Sequence, residues 1–355
     1  MQTKTKALIL GVIVSAWLLS GAMAQQAQES QPHISIVQKW LSSGHADSSS
    51  SSFTHWDGEE EIPGSCATCH SGEGFRDFWG FDDSAAGTVD HPVVPGGVVD
   101  CDTCHADGAG DIEAVIFPSG MRVSKPGSTA TCLTCHQGRQ SGSALPVATA
   151  DGGDDSVNPE LRFINPHYAV AGAMLQGSLV GGGYQYPGRS YMGRFTHVPP
   201  FSTCTDCHDP HALEVEVASC GRCHGTNDPR AIRTSAGDYD GDGDRETGIQ
   251  AEIDKLSATL LEAIEVYSAE VTQTTIAYST NYPYFMIAEG QENAGRPYAS
   301  WTPRLLRAAY NYKFVISDAG AYAHNPHYAI QLLHDSITDL STVTGARYQI
   351  GERPN

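Results

Sequence analysis

Five repeats of one five-residue unit carry the chemistry of this 355-residue chain. They read Cys66-Ala-Thr-Cys69-His70, Cys101-Asp-Thr-Cys104-His105, Cys132-Leu-Thr-Cys135-His136, Cys204-Thr-Asp-Cys207-His208 and Cys220-Gly-Arg-Cys223-His224. Together they use all 10 cysteines. C-x-x-C-H is the attachment signature of c-type haem. Two thiols at i and i+3 each form a thioether to one vinyl-derived carbon of the porphyrin, and the following His lies under the iron as proximal ligand. Zinc takes two Cys-x-x-Cys pairs, or one pair and two histidines, and neither set needs a His after every second Cys. Five disulfides would need no histidine. The pattern predicts five covalent haem c groups.

The segments that position these units are uneven. First cysteines are 35, 31, 72 and 16 residues apart. Residues 25–65 read as an extended arm, with Ser48 to Ser52 as a solvated linker. Gly74 to Gly80 is rich in aromatics suited to a porphyrin face. His91, in a Pro/Gly-rich loop, reads as a surface residue rather than a ligand. Ala150 to Asn158 is acidic and reads as flexible. Asn165-Pro-His167 is a helix-start signal, with His167 expected near the first turn. Gly181 to Tyr191 reads as a hairpin or loop. Pro210 stops helix after His208, which lets His211 reach a neighbouring iron.

Beyond His224 the character changes. Asp238, Asp240, Asp242, Asp244 and Glu246 fall at positions 1, 3, 5, 7 and 9 of a calcium-type loop, with Gly243 at position 6. Position 12 is Ile249, so Glu252 would have to replace the usual bidentate Glu. Ile249, Ile253, Leu256, Leu260, Ile264 and Tyr267 then recur at helical spacing. Further helices are expected over Pro303–Val315 and Pro326–Leu340. With 37 glycines and 19 prolines, the expected fold is mainly α with extensive loops, little β-structure and C-terminal helices. Porphyrins are expected to supply much of the core in the haem-bearing half. The expected division is a signal peptide at 1–24, a pentahaem region at 25–235 and a helical region at 236–355.

The leader rests on Lys4 and Lys6, an apolar run from Ala7 to Leu19 and an Ala22-Met23-Ala24 cleavage site. Loss of residues 1–24 leaves 19 basic against 41 acidic residues, a net −22. That charge disfavours nucleic acid and anionic membrane as partners. Basic patches on redox proteins, or cationic mineral surfaces, suit it better. Export to the periplasm or cell surface is expected.

The five Cys-x-x-Cys-His units give the whole chain a resemblance to multihaem c-type cytochromes of bacteria that respire extracellular acceptors. Trp40-Leu-Ser-Ser-Gly-His45-Ala46, and Gly320-Ala-Tyr-Ala-His324-Asn325 between two helices, resemble segments that supply distal haem histidines there. His167, His197 and His211 resemble them less specifically, and His55 stands beside Trp56 as a further candidate. Ten of the 15 histidines remain after the proximal five, so supply exceeds five distal positions. Of the six candidates His55 is the first to drop; alternatively one caps a haem of a neighbouring subunit. The resemblance implies an electron carrier rather than an enzyme, with redox proteins or extracellular acceptors as partners. It also implies self-association into a haem-stacked oligomer or filament. The alternative is a reductase of a nitrogen or sulfur oxyanion with one open iron. Pentahaem nitrite reductases carry Cys-x-x-Cys-Lys at that haem, and this chain has no such unit.

Overall fold

A computed structural model describes residues 35–150 and 152–355. The expected leader and cleavage site lie outside the described residues. Most regular structure is helical, joined by long loops, and the strands form only two short antiparallel ribbons. The mainly-α expectation holds. The haem motifs sit on short helices because each needs little more than one turn to present two thiols on one face. The C-terminal half instead buries long apolar stripes. Close residue contacts divide the chain into two units: residues up to Ala106 with His208–Val215, and Asp107–Cys207 with Glu216–Asn355.

In the first unit, residues 35–41 are helical and a single turn covers Ser51–Thr54. The extended-arm reading therefore fails here. Nor is the serine run a free linker: Ser50 caps the turn, its Oγ accepting from the Ser52 amide at 3.3 Å. Helix α1 spans Gly64–His70 and α2 spans Gly72–Trp79. Ser71 joins them, donating its amide to Ala67 O and accepting at Oγ from the Gly74 amide. Gly74 is required by the close approach: a Cβ there would lie 2.6 Å from Ala67 Cβ. Helix α3 covers Cys101–His105. Its cap, Asp100, accepts from the Thr103 amide at 2.9 Å and from Arg76 Nη1 of α2 at 2.7 and 2.9 Å. One carboxylate thus ties the helix after the first haem motif to the helix of the second. A small apolar cluster of Ile62, Ala67 and Val93, flanked by Trp56, Cys66 and Val89, lies beneath.

The second unit opens with β1 (Ala114–Ile116) paired to β2 (Arg122–Ser124). Helix α4 (Ala130–Cys135), α5 (Ala171–Gln176) and α6 (Val217–His224) are short. Helix α7 (Ile249–Val271) is followed by the ribbon of β3 (Ile276–Tyr278) and β4 (Phe285–Ile287). Helices α8 (Pro303–Ile316) and α9 (Pro326–Thr344) complete it. Both late helices start as the sequence signals: Thr302 and Asn325 are N-caps and proline occupies the first turn, each cap being worth about 1 kcal/mol. Helices α7, α8 and α9 pack together and bury Leu256, Leu260, Ile264, Leu305, Tyr310, Phe314 and Leu332.

Residues 181–191 form a loop, with no strand. The loop is held against the helices because Asn311 accepts from the Tyr184 amide at 2.7 Å and donates to Tyr184 O at 3.0 Å. Gly183 is needed there, since a Cβ would sit 2.3 Å from Leu332 Cδ1. The acidic stretch before Asn158 is not loose where described. Asp155 is bound by Arg304 at 2.7 Å and by the Tyr267 hydroxyl at 2.7 Å, and Asp154 by Arg307 at 2.8 Å.

Candidate functional site

The ten thiols are all half-buried or exposed, and none is bridged to another. Four of the five pairs lie on or at the end of α1, α3, α4 and α6. The fourth in sequence starts on a 3₁₀ turn, Cys204–Asp206, closed by a capping box between Thr203 and Asp206. In a 3₁₀ turn side chains at i and i+3 eclipse, so both geometries present two sulfurs on one side. Cys132 and Cys204 hydrogen-bond each other, which eases ionisation of the Cys132 thiol. The attachment points of the third and fourth motifs are therefore neighbours.

Two histidine pairs have the spacing of shared metal ligands. The rings of His105 and His211 are nearly parallel, at 6° with centroids 6.2 Å apart. Those of His197 and His224 are 6.0 Å apart at 58°. Metal–imidazole bonds of ~2.0–2.1 Å, plus ~1.1 Å from each nitrogen to its ring centre, place two rings ~6.3 Å apart across one ion. Each pair joins a motif histidine to one of the distal candidates. His211 is presented by a tight loop: Asp209 accepts from the His211 and Ala212 amides at 2.9 and 3.0 Å and from Lys39 Nζ at 2.6 Å. That Lys39 contact, with the two amides, holds the Asp209 carboxyl well below the usual carboxylate range.

The other candidates are placed as follows. His167 lies before α5 rather than in its first turn, with φ 74°. Its segment is held at the end of α4, where His136 O accepts from the Gly172 amide at 2.7 Å and Pro166 O from the Arg139 amide at 3.0 Å. His45 is half-buried, and burial lowers its pKa; its carbonyl accepts from the Val99 amide at 3.2 Å, one residue before the cap of α3. His55 is exposed and edge-on to Trp56 at 4.7 Å, and Trp56 is edge-on to His70 at 5.2 Å. His324 ends the single turn Ala321–His324, and its Nδ1 contacts Asp318 at 2.8 and 2.9 Å. His91 is ringed by carboxylates: Asp77 at 3.0 Å, Glu73 at 3.5 Å, Asp90 at 3.6 Å and Asp82 at 3.9 Å. Burial lowers its pKa, but those carboxylates outweigh it and raise it.

In the acidic loop, ligand-capable oxygens of Asp238, Asp240 and Glu252 lie within 4.8 Å of one another. Asp242, Asp244 and Glu246 are not part of that group. Asp242 and Asp244 instead accept backbone amides two residues on, at 2.7 Å each. Glu252 also binds Arg233 Nη1 at 2.6 Å and accepts from the Tyr239 and Asp240 amides at 2.9 and 2.8 Å. Burial, then the nearby carboxylates of Glu252, Asp242 and Asp238, raise the Asp240 pKa.

Comparison with known proteins supplies the context for this arrangement. The chain aligns with the C-type polyheme cytochrome OmcB of Geobacter sulfurreducens at 26% identity over 357 positions, covering 82% of this chain and 46% of that protein. It aligns with OmcC of the same organism at 25% identity over 370 positions, covering 85% and 46%. This chain is similar to polyhaem c-type cytochromes. It spans about half the length of the curated relatives it matches. No family model and no solved structure matches it. Among the described residues, no helix is long and apolar enough to cross a membrane.

Two contacts in the site escape a sequence reading. The Ser52 carbonyl lies 2.8 Å from His70 Nδ1. A carbonyl can only accept, so Nδ1 carries the hydrogen and Nε2 is the lone-pair nitrogen of the neutral ring. The second is Asp318 on His324. Backbone carbonyls have no sequence signal, and an Asp six residues before a His is no motif. Second-sphere partners of this kind orient a ligating imidazole and raise its basicity.

Proposed function

We propose that the protein relays electrons one at a time through five covalently bound haem c groups, each iron held by two histidines. The observation that carries this reading is the pairing of His105 with His211 and of His197 with His224 at the separation two imidazoles need across one ion. The similarity to polyhaem cytochromes supports the cofactor class. The haem iron supplies a one-electron couple, and the protein sets its potential through axial ligands and surroundings. The five motif histidines would each give one nitrogen to an iron. His45, His167, His197, His211 and His324 would give the second, with His55 the spare. Two histidines on every iron would exclude substrate and keep ligand rearrangement small on redox change. The thiol contact between Cys132 and Cys204 supports close spacing of the third and fourth groups.

The relay belongs outside the cytoplasm, where c-type haem is attached in bacteria, and passes electrons to a redox protein with a basic face or to an extracellular acceptor. The net charge of −20 supports that polarity. The experiment is to reduce the holoprotein and add carbon monoxide, nitrite or hydroxylamine. The reduced protein is expected to stay low-spin, bind little carbon monoxide and turn over neither nitrogen compound. One stoichiometric high-spin haem with rapid substrate reduction would make it a reductase instead.

The same reading gives the acidic loop a hard cation, calcium by its oxygen donors. The nearness of Asp238, Asp240 and Glu252 supports it, as does the position of Glu252, which takes the place that Ile249 cannot fill. The cation would fix the start of α7. The expected result is a higher melting temperature of the holoprotein in calcium than in excess chelator, with the difference lost in Asp240→Asn. Equal melting temperatures would remove the cation from this reading.

A further inference from the structure

The joint between α8 and α9 anchors one of the distal candidates, His324, from both sides. Asp318 follows α8, and its carboxylate accepts from the Gly320 amide at 3.0 Å. The turn Ala321–His324 is closed by the His324 amide on Gly320 O at 2.8 Å. The His324 ring lies directly against Gly320, where a Cβ would be 2.6 Å from Cε1. Nδ1 of that ring then meets both oxygens of Asp318, at 2.8 and 2.9 Å. The Asp318 side chain is only 4% exposed, and its one ion pair among the described residues is to this imidazole. Asn325 caps α9 immediately afterwards, so both sides of the turn are anchored.

We propose that Asp318 is a positioning residue that sets the His324 tautomer and lowers the potential of the iron His324 serves. The inference rests on His324 being a distal ligand. A carboxylate accepting from Nδ1 leaves Nε2 as the donor nitrogen and makes the imidazole a stronger base. A more basic ligand favours the higher charge on a metal, so the oxidised state gains. His70 offers the contrast, since its Nδ1 is anchored by the neutral Ser52 carbonyl. Hydrogen bonds to ionised acceptors are roughly twice as strong as those between neutral groups. The two anchors therefore bias two irons of one relay differently, with the Asp318-anchored one the poorer electron acceptor.

The test is redox titration of holoprotein carrying Asp318→Asn, with Asp318→Glu and His324→Ala beside it. The Asn variant keeps an oxygen that accepts from Nδ1 but removes its charge. One of five midpoints is expected to rise by about a tenfold change in its redox equilibrium constant, which is 59 mV for one electron. The other four and the low-spin spectrum are expected to hold. The Glu variant is expected to bring that midpoint back down. Five unmoved midpoints in a fully loaded Asn variant would overturn the proposal. So would an equal rise in the Asn and Glu variants, which would mean that Asp318 only braces the turn. His324→Ala separates this from the ligation itself: one new high-spin haem is expected. If all five haems stay low-spin, His324 is not a ligand and the underlying assignment fails.

Discussion

Intact-mass measurement of the matured protein is expected to exceed the polypeptide by five haem masses. Changing Cys101 and Cys104 together to serine is expected to remove one of them. The pair lies on α3 with both thiols exposed, so each sulfur is reachable for thioether formation, and no disulfide competes for it. Among the described residues of the first unit the buried apolar side chains are Phe53, Ile62, Ala67, Phe75 and Val93. Loss of a porphyrin packed there is expected to remove buried apolar area, at about 25 cal/mol per Å². The double variant is thus also expected to melt at lower temperature. Four or fewer haem masses in a fully matured wild-type sample would contradict the count, and an undiminished mass in the double variant would contradict the attachment site.

Removing a distal imidazole should have the largest spectroscopic effect. His211→Ala and His197→Ala are each expected to convert one low-spin haem into a high-spin haem. Carbon monoxide uptake by the reduced protein should rise from near zero to about one equivalent in each, and to about two in the double variant, because an iron that loses one axial ligand binds exogenous ones. The two sites share no partners among the contacts described, so the effects should add. Added imidazole is expected to restore the low-spin spectrum. His55→Ala, at an exposed ring beside Trp56, is expected to leave the spectrum unchanged. A low-spin, five-haem His211→Ala protein would show that the pairing with His105 serves no iron.

What could be read from the chain was local. Attachment depends on two cysteines at i and i+3 and a histidine at i+4, a spacing that one helical turn fulfils. The start of α8 was likewise legible, because Thr302 and Pro303 cap and open a helix within one turn. The periodicity of Ile253, Leu256, Leu260 and Ile264 placed α7, since an apolar stripe must be buried wherever its partners come from. Counting positions also singled out Glu252 in the acidic loop, and the fold brings it beside Asp238 and Asp240. The misreadings were of tertiary origin. Ser48 to Ser52 looks like linker, yet Ser50 caps a turn and the Ser52 carbonyl faces His70. His167 has a helix-start signal two residues earlier, but the chain turns left-handed there before α5 begins.

Which histidine meets which motif was decided only by the folded chain. His211 lies three residues from its own motif in sequence, yet its ring pairs with His105, more than a hundred residues earlier. His197 precedes the fourth motif by seven residues and pairs instead with His224 of the fifth. Sequence distance carries little information here because loop closure becomes only slowly costlier with length, about 0.6 kcal/mol for each doubling. Contacts such as Asp209 with Lys39 at 2.6 Å help hold the closed loop. The attachment motif is therefore written in five-residue units, whereas the histidine pairs form only where distant loops close.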